Sequence, residues 1–264
     1  MGLKLLTGRQ KKPRRLMIYG PPGVGKTTIA AAIPNAVLLP TEEGCNDLDV
    51  PKFEIARSLT DCYEAISQLK ELDFQWLVID TMDWFEKLVW QKVANDTQKD
   101  SISEVPYGKG YELARDQLKR FLELLDKLRE HKNMGIVMLA HAHQVRHDPP
   151  DGEPYERWEP RLEKRSVGMV TEWCDEVLFA NFVVRTKSVS TGFSSKNKAL
   201  AIDKRCLYTS GIPTHLAKNR IGMPDEIELD WNEYQKCVDA FYAGDVQVQQ
   251  ESQSPVDAEA DDVF

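Results

Sequence analysis

The chain has 264 residues, of which 42% are hydrophobic and 29% are charged. This balance is ordinary for a soluble globular protein, and no apolar run approaches the ~20 residues that would span a bilayer, so we expect no membrane segment. The five cysteines are scattered without a Cys-x-x-Cys pair, which favours reduced thiols in a cytoplasm.

The net charge of −8 is unevenly distributed along the chain. The first fifteen residues hold six basic side chains, whereas the last twenty hold six acidic ones and neither Lys nor Arg. Because local patches decide nucleic-acid binding, the acidic balance does not exclude such a partner. We expect a basic N-terminal arm (residues 1–15), one folded domain (residues 16–244) and a disordered acidic tail (residues 245–264).

Apolar runs typical of strands alternate with stretches of helical spacing. The strand-like runs are residues 16–19, 36–39, 76–79, 135–140 and 176–184, and the helical stretches are 27–32, 62–72 and 111–131. Buried strands separated by helices indicate a parallel sheet covered on both faces. After Val184, two shorter runs (198–203 and 205–209) predict an antiparallel extension. The predicted fold class is therefore α/β, with a mainly parallel sheet and an antiparallel C-terminal extension.

The turn between the first strand and the first helix matches the phosphate-loop pattern G-x-x-x-x-G-K-[ST]. Its glycines let backbone N–H groups cradle phosphate oxygens, and the helix adds its positive N-terminal end. We expect Lys26 to reach the β- and γ-phosphates of ATP and the Thr27 hydroxyl to bind Mg²⁺. The predicted ATP-binding residues are Gly20, Pro21, Pro22, Gly23, Val24, Gly25, Lys26, Thr27 and Thr28.

Such a loop needs an acidic residue at the end of another strand to hold the Mg²⁺ shell. Asp80 ends the third run and fits this role, although it could instead cap the next helix. Thr81 follows it, which tells against the AAA+ pattern, where the general base comes directly after this Asp. We prefer Glu42, after the second strand, as the base; Glu43, or two merely solvated loop acids, are the alternatives.

At this point the sequence resembles the RecA/DnaB-like branch of P-loop ATPases. More narrowly, it is similar to the phage-encoded nucleotide-binding proteins of the RecA-like single-strand-annealing recombinase group. The matching segments are residues 20–28, 41–44, 79–81, 139–141, 172–177 and 217–222. The resemblance implies a RecA-like ATPase core in residues 16–244 that hydrolyses Mg-ATP, with its base after the second strand, in the host cytoplasm if the protein is phage-encoded.

The resemblance also implies roles for three further residues. His141 matches a polar residue that senses the γ-phosphate at the end of the fourth strand. Lys218 and Arg220 match a Lys-x-Arg element that reaches into the neighbouring subunit's ATP site, where a cation stabilises the transferring phosphoryl group. A homo-oligomer, either a ring or a filament, follows from that role. Without the resemblance, Lys218 and Arg220 would read as a solvated basic turn.

Two segments are candidates for binding single-stranded DNA. Residues 146–165 interleave five cations with Tyr155 and Trp158, a pattern that can follow phosphates and stack on bases, but six acids leave a mixed-charge surface loop as the alternative. The basic arm, residues 9–15, is the second candidate. The acidic tail resembles tails of replication proteins that dock other proteins, such as single-stranded-DNA-binding proteins; a solubilising tail is the alternative.

The function expected from these features is an ATP-dependent DNA recombination or annealing factor that binds single-stranded DNA. A nucleotide-gated helicase loader or assembly scaffold with a protein partner is the main alternative, and a small-molecule kinase is a second one. A metal site at His141, His143 and His147 is disfavoured because no Cys completes the set.

Overall fold

A computed structural model describes residue 3 and residues 5–150, 152–191 and 194–244 of the chain. Of residues 184–191 and 194–203 it describes the backbone alone. The acidic tail that we predicted, residues 245–264, lies outside the described residues. In the described part of the chain, no helix combines the length and the apolar character needed to cross a membrane.

Strands and helices alternate through the first two thirds of the chain. In chain order the elements are β1 (Arg15–Gly20), α1 (Lys26–Ala31), β2 (Ala36–Pro40), α2 (Leu59–Gln68), β3 (Trp76–Asp80), α3 (Met82–Asp96), α4 (Lys109–Lys132), β4 (Gly135–His147), β5 (Tyr155–Pro160), α5 (Lys164–Trp173), β6 (Glu176–Thr191), β7 (Ser194–Tyr208), β8 (Glu226–Glu228) and α6 (Trp231–Ala243).

The strands form one sheet in the order β2-β3-β4-β1-β6-β7-β8, with β5 paired to β4 outside this path. The first five strands of this order run parallel, whereas β7, β8 and β5 pair antiparallel to their neighbours. The predicted α/β fold, with its mainly parallel sheet and antiparallel C-terminal extension, is confirmed. Because parallel strands share a direction, β1, β2, β3 and β4 all deliver their following residues to one edge.

Each face of the sheet carries its own hydrophobic core, since successive strand residues point to opposite faces. On one face, Met17 and Tyr19 of β1 pack with the apolar sides of α2, α3, α4 and α5. On the other face, Leu16 and Ile18 pack with α1 and α6. This alternation fixes the register of β1, and therefore the position at which the chain leaves it, because a slip of one residue would exchange the two faces.

The structure departs from the sequence prediction in several elements, since α5 and α6 were not predicted either. The stretch 146–165, considered as a surface loop, is mostly ordered: β4 runs on to His147 and returns as β5, so a two-stranded hairpin projects from the sheet. Helix α3 was not predicted, although Phe85, Val89 and Val93 have helical spacing, because the buried Asp83 and Glu86 interrupt its apolar face.

Candidate functional site

The phosphate loop leaves the end of β1 and enters α1. Gly23 and Gly25 have φ values of 76° and 106°, which favour glycine, and Gly25 occupies the N-cap position of α1. A side chain at Gly20 would collide with the backbone carbonyl of Ala180 on the neighbouring β6. The glycines therefore serve the backbone path that the phosphate-loop motif requires.

The side chain of Lys26 is folded into the loop that precedes it. Its Nζ atom donates to the carbonyl oxygens of Gly20 (2.9 Å) and Pro21 (3.0 Å), and only 6% of the residue is exposed. Burial lowers the pKa of this ammonium, and the carboxylates of Asp80, Asp83 and Glu42 oppose that effect. The Lys26 ammonium therefore lies inside the phosphate loop, where a phosphate oxygen can replace the two carbonyl oxygens as its hydrogen-bond acceptor.

Thr27 and Asp80, the two predicted metal ligands, meet across the cleft. The Thr27 hydroxyl donates to Oδ2 of Asp80 at 2.9 Å, and the Cys45 thiol donates to the same oxygen at 3.3 Å. Burial raises the pKa of the Asp80 carboxyl. Asp80 does not cap α3, because Thr81 occupies the N-cap position. A hydroxyl beside a carboxylate is a donor set that suits Mg²⁺, which takes oxygen ligands.

Glu42 is held against the wall of the same cleft. Its Oε1 atom accepts a hydrogen bond from the Thr81 hydroxyl at 2.9 Å and lies 3.8 Å from Nδ1 of His141. Burial raises the pKa of this carboxyl. The side chain of Glu43 is instead 68% exposed and accepts from Asn46. Of the two candidate bases, Glu42 is therefore the one that residues of the cleft wall hold out of solvent.

Asp83 anchors His141, a contact that was not predicted from the sequence. The carboxylate of Asp83 accepts from the backbone N–H of His141 (3.0 Å), lies 3.1 Å from its Nδ1 and pairs with Nη2 of Arg161 at 2.6 Å. Burial alone would raise the pKa of Asp83, but the hydrogen bonds from His141 and Arg161 outweigh it and hold the pKa well below its usual range. The His141 ring is thereby fixed toward the cleft and linked to the residue that follows the β4–β5 hairpin.

These groups converge on a cleft of about 310 Å³ at the carboxyl edge of the sheet. The residues that line it are Pro22, Gly23, Gly25, Lys26, Thr27, Thr28, Glu42, Glu43, Asp80, Thr81, His141 and Arg205. The structure thus brings the predicted phosphate loop, metal ligands, base and sensor together around one cavity, and it adds one cation, Arg205.

Comparison with known proteins assigns the family. The sequence model of a family described as an AAA domain matches residues 12–221. The chain belongs to this family. Among solved structures, the crystal structure of the RadB recombinase aligns over 75% of this chain and 89% of that one, with 16% identity and a TM-score of 0.42. No curated protein matches.

The family assignment makes the chain a P-loop nucleotide-binding protein of AAA type. The family's description as an AAA domain differs from our expectation that the chain departs from the AAA+ pattern, which we based on the presence of Thr81 instead of an acidic residue after Asp80. The residue after Asp80 is nonetheless a threonine, and its hydroxyl binds Glu42. In this AAA domain the residue after Asp80, Thr81, therefore does not supply a carboxylate itself but donates a hydrogen bond to the carboxylate of Glu42, which follows β2.

Arg205, on β7, is a member of the site that sequence reasoning missed. Its Nη1 atom lies 3.4 Å from the carbonyl oxygen of Val24 and 2.9 Å from where a Cβ on Gly25 would be. Within the described part of the chain, no carboxylate lies within 4 Å of its guanidinium. A cation this close to the phosphate loop, with no acidic partner there, is placed to contact a bound nucleotide.

We expect Arg205→Ala to weaken the binding of ADP and ATP to a similar degree, roughly tenfold or more, because a hydrogen bond to a charged group contributes about 1.5–3 kcal/mol. Titration with a fluorescent nucleotide analogue measures both affinities. Lys204→Ala is the matched control, since the adjacent Lys204 pairs with Glu228 and not with the loop. Unchanged affinity in Arg205→Ala would remove Arg205 from the site.

Lys218 and Arg220 do not join the cleft of their own chain. Lys218 exchanges backbone hydrogen bonds with Val177, and its Nζ donates to the carbonyl of Thr171 at 2.6 Å. Arg220 lies 3.4 Å from Asp175, which immediately precedes β6. Both residues thus lie at the amino end of β6, whereas the phosphate loop follows the carboxyl end of its parallel neighbour β1. Their predicted action on a neighbouring subunit stays a prediction.

The β4–β5 hairpin carries its cations in ion pairs. Arg146 pairs with Asp148 (3.0 Å), Arg157 pairs with Glu159, and Arg161, just after the hairpin, pairs with Asp83. The hairpin therefore has the mixed-charge surface that was the alternative to a DNA-binding loop. Among the described residues, no three His, Cys, Asp or Glu side chains lie together in a group that could hold a metal ion.

Proposed function

We propose that this AAA domain binds Mg-ATP in the cleft at the carboxyl edge of its sheet and hydrolyses it to ADP and phosphate. The observation that carries the proposal is the convergence of Lys26, the Thr27–Asp80 pair and Glu42 on one cavity. These residues come from the ends of three different strands, β1, β2 and β3, so a chance glycine-rich turn would not gather them.

The residues divide the work of phosphoryl transfer. The loop amides and Lys26 hold the phosphates, and Thr27 and Asp80 would hold Mg²⁺, which neutralises charge on the phosphate oxygens. Glu42 orients the attacking water and takes its proton, a role that a carboxylate performs within hydrogen-bond reach of the nucleophile. His141, which Asp83 holds in position, would contact the γ-phosphate of bound ATP and so distinguish ATP from ADP.

We further propose that hydrolysis serves a reaction on single-stranded DNA, namely recombination or annealing, in the cytoplasm. The proposal rests on the resemblance to RecA-like annealing proteins, which also implies a homo-oligomer with ATP between subunits. A single-stranded-DNA-binding protein is the partner that the acidic tail would dock. The structure contributes one supporting fact, which is that Lys218 and Arg220 lie away from their own cleft.

An ATPase assay tests both parts of this proposal. Lys26→Ala is expected to lower turnover by roughly 10²–10³, because removing a donor aimed at developing charge has that effect. Wild-type turnover should rise when single-stranded DNA is added, and the Lys26→Ala variant should remain inactive. Absence of nucleotide binding in the presence of Mg²⁺ would refute the whole proposal, whereas turnover indifferent to DNA would refute its second part.

The mixed charges of the β4–β5 hairpin favour one alternative function. Its paired arginines and glutamates form a polar surface that suits a folded protein partner better than a nucleic-acid strand. A nucleotide-gated helicase loader or assembly scaffold would use such a surface, with hydrolysis as a timer. In the same assay, a loader would be stimulated by its protein partner and would not respond to single-stranded DNA.

A further inference from the structure

A second large cavity, of about 700 Å³, lies at the opposite edge of the sheet from the phosphate cleft. It is bordered by the segment that enters β1 and by the first residues of β3 and β4, Trp76 and Gly135, together with one side of α6. Because the parallel strands begin here and end at the phosphate loop, the two sites are separated by the length of the sheet. We call this cavity the basal groove.

The basal groove is basic in a chain that is acidic overall. Four lysine and arginine side chains line it, namely Lys11, Lys12, Arg14 and Lys132, against a single acid, Asp73. Lys11 and Lys12 are exposed, and among the described residues neither has a carboxylate within 4 Å. Arg14 is neutralised by the buried Glu176, so the cations of the groove that can attract a polyanion, despite the net charge of −8, are Lys11, Lys12 and Lys132.

Aromatic rings lie among these cations. Phe74, Trp76 and Tyr242 line the groove and are each half-buried. Tyr242 is held by a hydrogen bond from Arg14 at 3.3 Å, and Nζ of Lys11 lies 5.6 Å from the centre of its ring. Rings that the fold already holds in place lose little side-chain entropy when a flat ligand stacks on them.

The groove differs from the hairpin in what its cations contact. On the hairpin each arginine is neutralised by a neighbouring acid, and Trp158 packs inward beside Phe179, with ring centres 6.0 Å apart. In the groove the lysines are unpaired and the aromatic rings border open space. The other aromatic ring of the hairpin, Tyr155, stacks on His147 with ring centres 5.5 Å apart. A ligand that needs free cations for phosphates beside flat faces for bases therefore finds this combination in the groove.

We propose that the basal groove is the single-stranded-DNA site of this protein, with Lys11 and Lys12 on the phosphates and Phe74 and Tyr242 stacked on bases. This inference rests on the proposed action on single-stranded DNA, and it adds the location at which the DNA binds. Duplex DNA should bind less well, because its bases are already stacked on each other and cannot reach the rings.

The test uses fluorescence anisotropy of a labelled oligo-dT with the full-length protein across a salt series. In Lys11→Gln/Lys12→Gln, we expect weaker binding and a log–log salt slope that is smaller by about 1.4, since each lost phosphate contact on a single strand removes about 0.7. The matched control is Lys99→Gln/Lys109→Gln, which removes the same charge from exposed positions outside the groove. The control should keep the wild-type slope.

A second pair of variants tests the stacking. Tyr242→Ala should weaken oligo-dT binding roughly tenfold, because stacking on one aromatic ring contributes about 1–3 kcal/mol per base. Tyr242→Phe keeps the ring and should bind nearly as wild type does. ATP affinity, measured in parallel, should be unchanged in every groove variant, which shows that the fold and the distant cleft are intact.

The outcomes separate the groove from the proposed function. If wild type hydrolyses ATP but binds no single-stranded DNA, the proposed action on DNA fails. If wild type binds DNA and the groove variants bind it equally well, or if Arg146→Gln/Arg157→Gln loses binding instead, only the groove assignment fails. Tighter binding of oligo-U than of oligo-dT would overturn the choice of DNA as the ligand.

Discussion

Glu42→Gln is expected to lower the rate of ATP hydrolysis by roughly 10²–10⁴, the range for loss of a general base, while ATP still binds with near wild-type affinity. Glutamine has the size of glutamate and can still accept the hydrogen bond from Thr81, but it cannot take a proton from water. Lys26 and the Thr27–Asp80 pair, which hold the phosphates and the metal, are untouched. Single-turnover hydrolysis and nucleotide titration together measure the two quantities.

Glu43→Gln is the matched control for this experiment. The Glu43 side chain lines the same cleft but is largely exposed and is held by Asn46 and, at 3.9 Å, by Arg57. Its substitution should leave turnover within about twofold of wild type, as is usual for a solvated carboxylate away from the reacting atoms. Loss of turnover in Glu43→Gln alone would move the base to Glu43. Full turnover in both variants would end the assignment of a base after β2.

The sequence was sufficient to predict the centre of the cleft for a geometric reason. The phosphate loop is a contiguous motif, Asp80 is the last residue of a short and otherwise apolar strand, and Glu42 lies two residues beyond another apolar strand. Once those strands are taken as parallel, their following residues must meet at one edge, whatever the order of the strands. Three separate segments could therefore be combined into one site before any contact was known.

The rest of the site depends on pairings that no local pattern encodes. Arg205 reaches the phosphate loop only because β7 returns antiparallel along β6, with Leu207 opposite Ala180. Asp83 looks like an ordinary polar residue in the first turn of a helix until the fold places His141 and Arg161 against it. In both cases the contacting residues are far apart in the sequence. Hydrophobic periodicity shows which residues face the core, but not which distant residues the fold brings together.

Polar residues also concealed whole elements from prediction. The β4–β5 hairpin has alternating charged side chains because both of its faces are at least partly solvated, so it lacks the apolar run that marked the other strands. Its cross-strand pair of Arg157 opposite Val145 and the pair of His147 opposite Tyr155 become visible only once the register is known. Most of the stretch considered as a loop therefore extends the sheet through the pairing of β4 with β5.

Arg220→Ala is expected to reduce turnover by roughly 10³ or more, with ATP binding retained, because a cation supplied to the transferring phosphoryl group contributes 10³–10⁵. The side chain of Arg220 is 54% exposed and lies at the far edge from its own cleft, so the proposed catalytic role requires the cleft of another subunit. Lys218 is tied to the carbonyl of Thr171, and we expect Lys218→Ala to affect the stability of this turn as well as turnover.

Mixing two inactive variants distinguishes action on a neighbour from a structural role. Lys26→Ala lacks a working phosphate loop but keeps Arg220, whereas Arg220→Ala keeps the loop and lacks the arginine. If subunits assemble head to tail, an equal mixture contains about one interface in four that joins an intact loop to an intact arginine, so turnover should return to about a quarter of the wild-type rate. A mixture that stays as inactive as its components would show that Arg220 does not complete a neighbour's site. The recovery can arise only between subunits, because neither chain carries both groups, and its dependence on protein concentration would then report the assembly that brings them together.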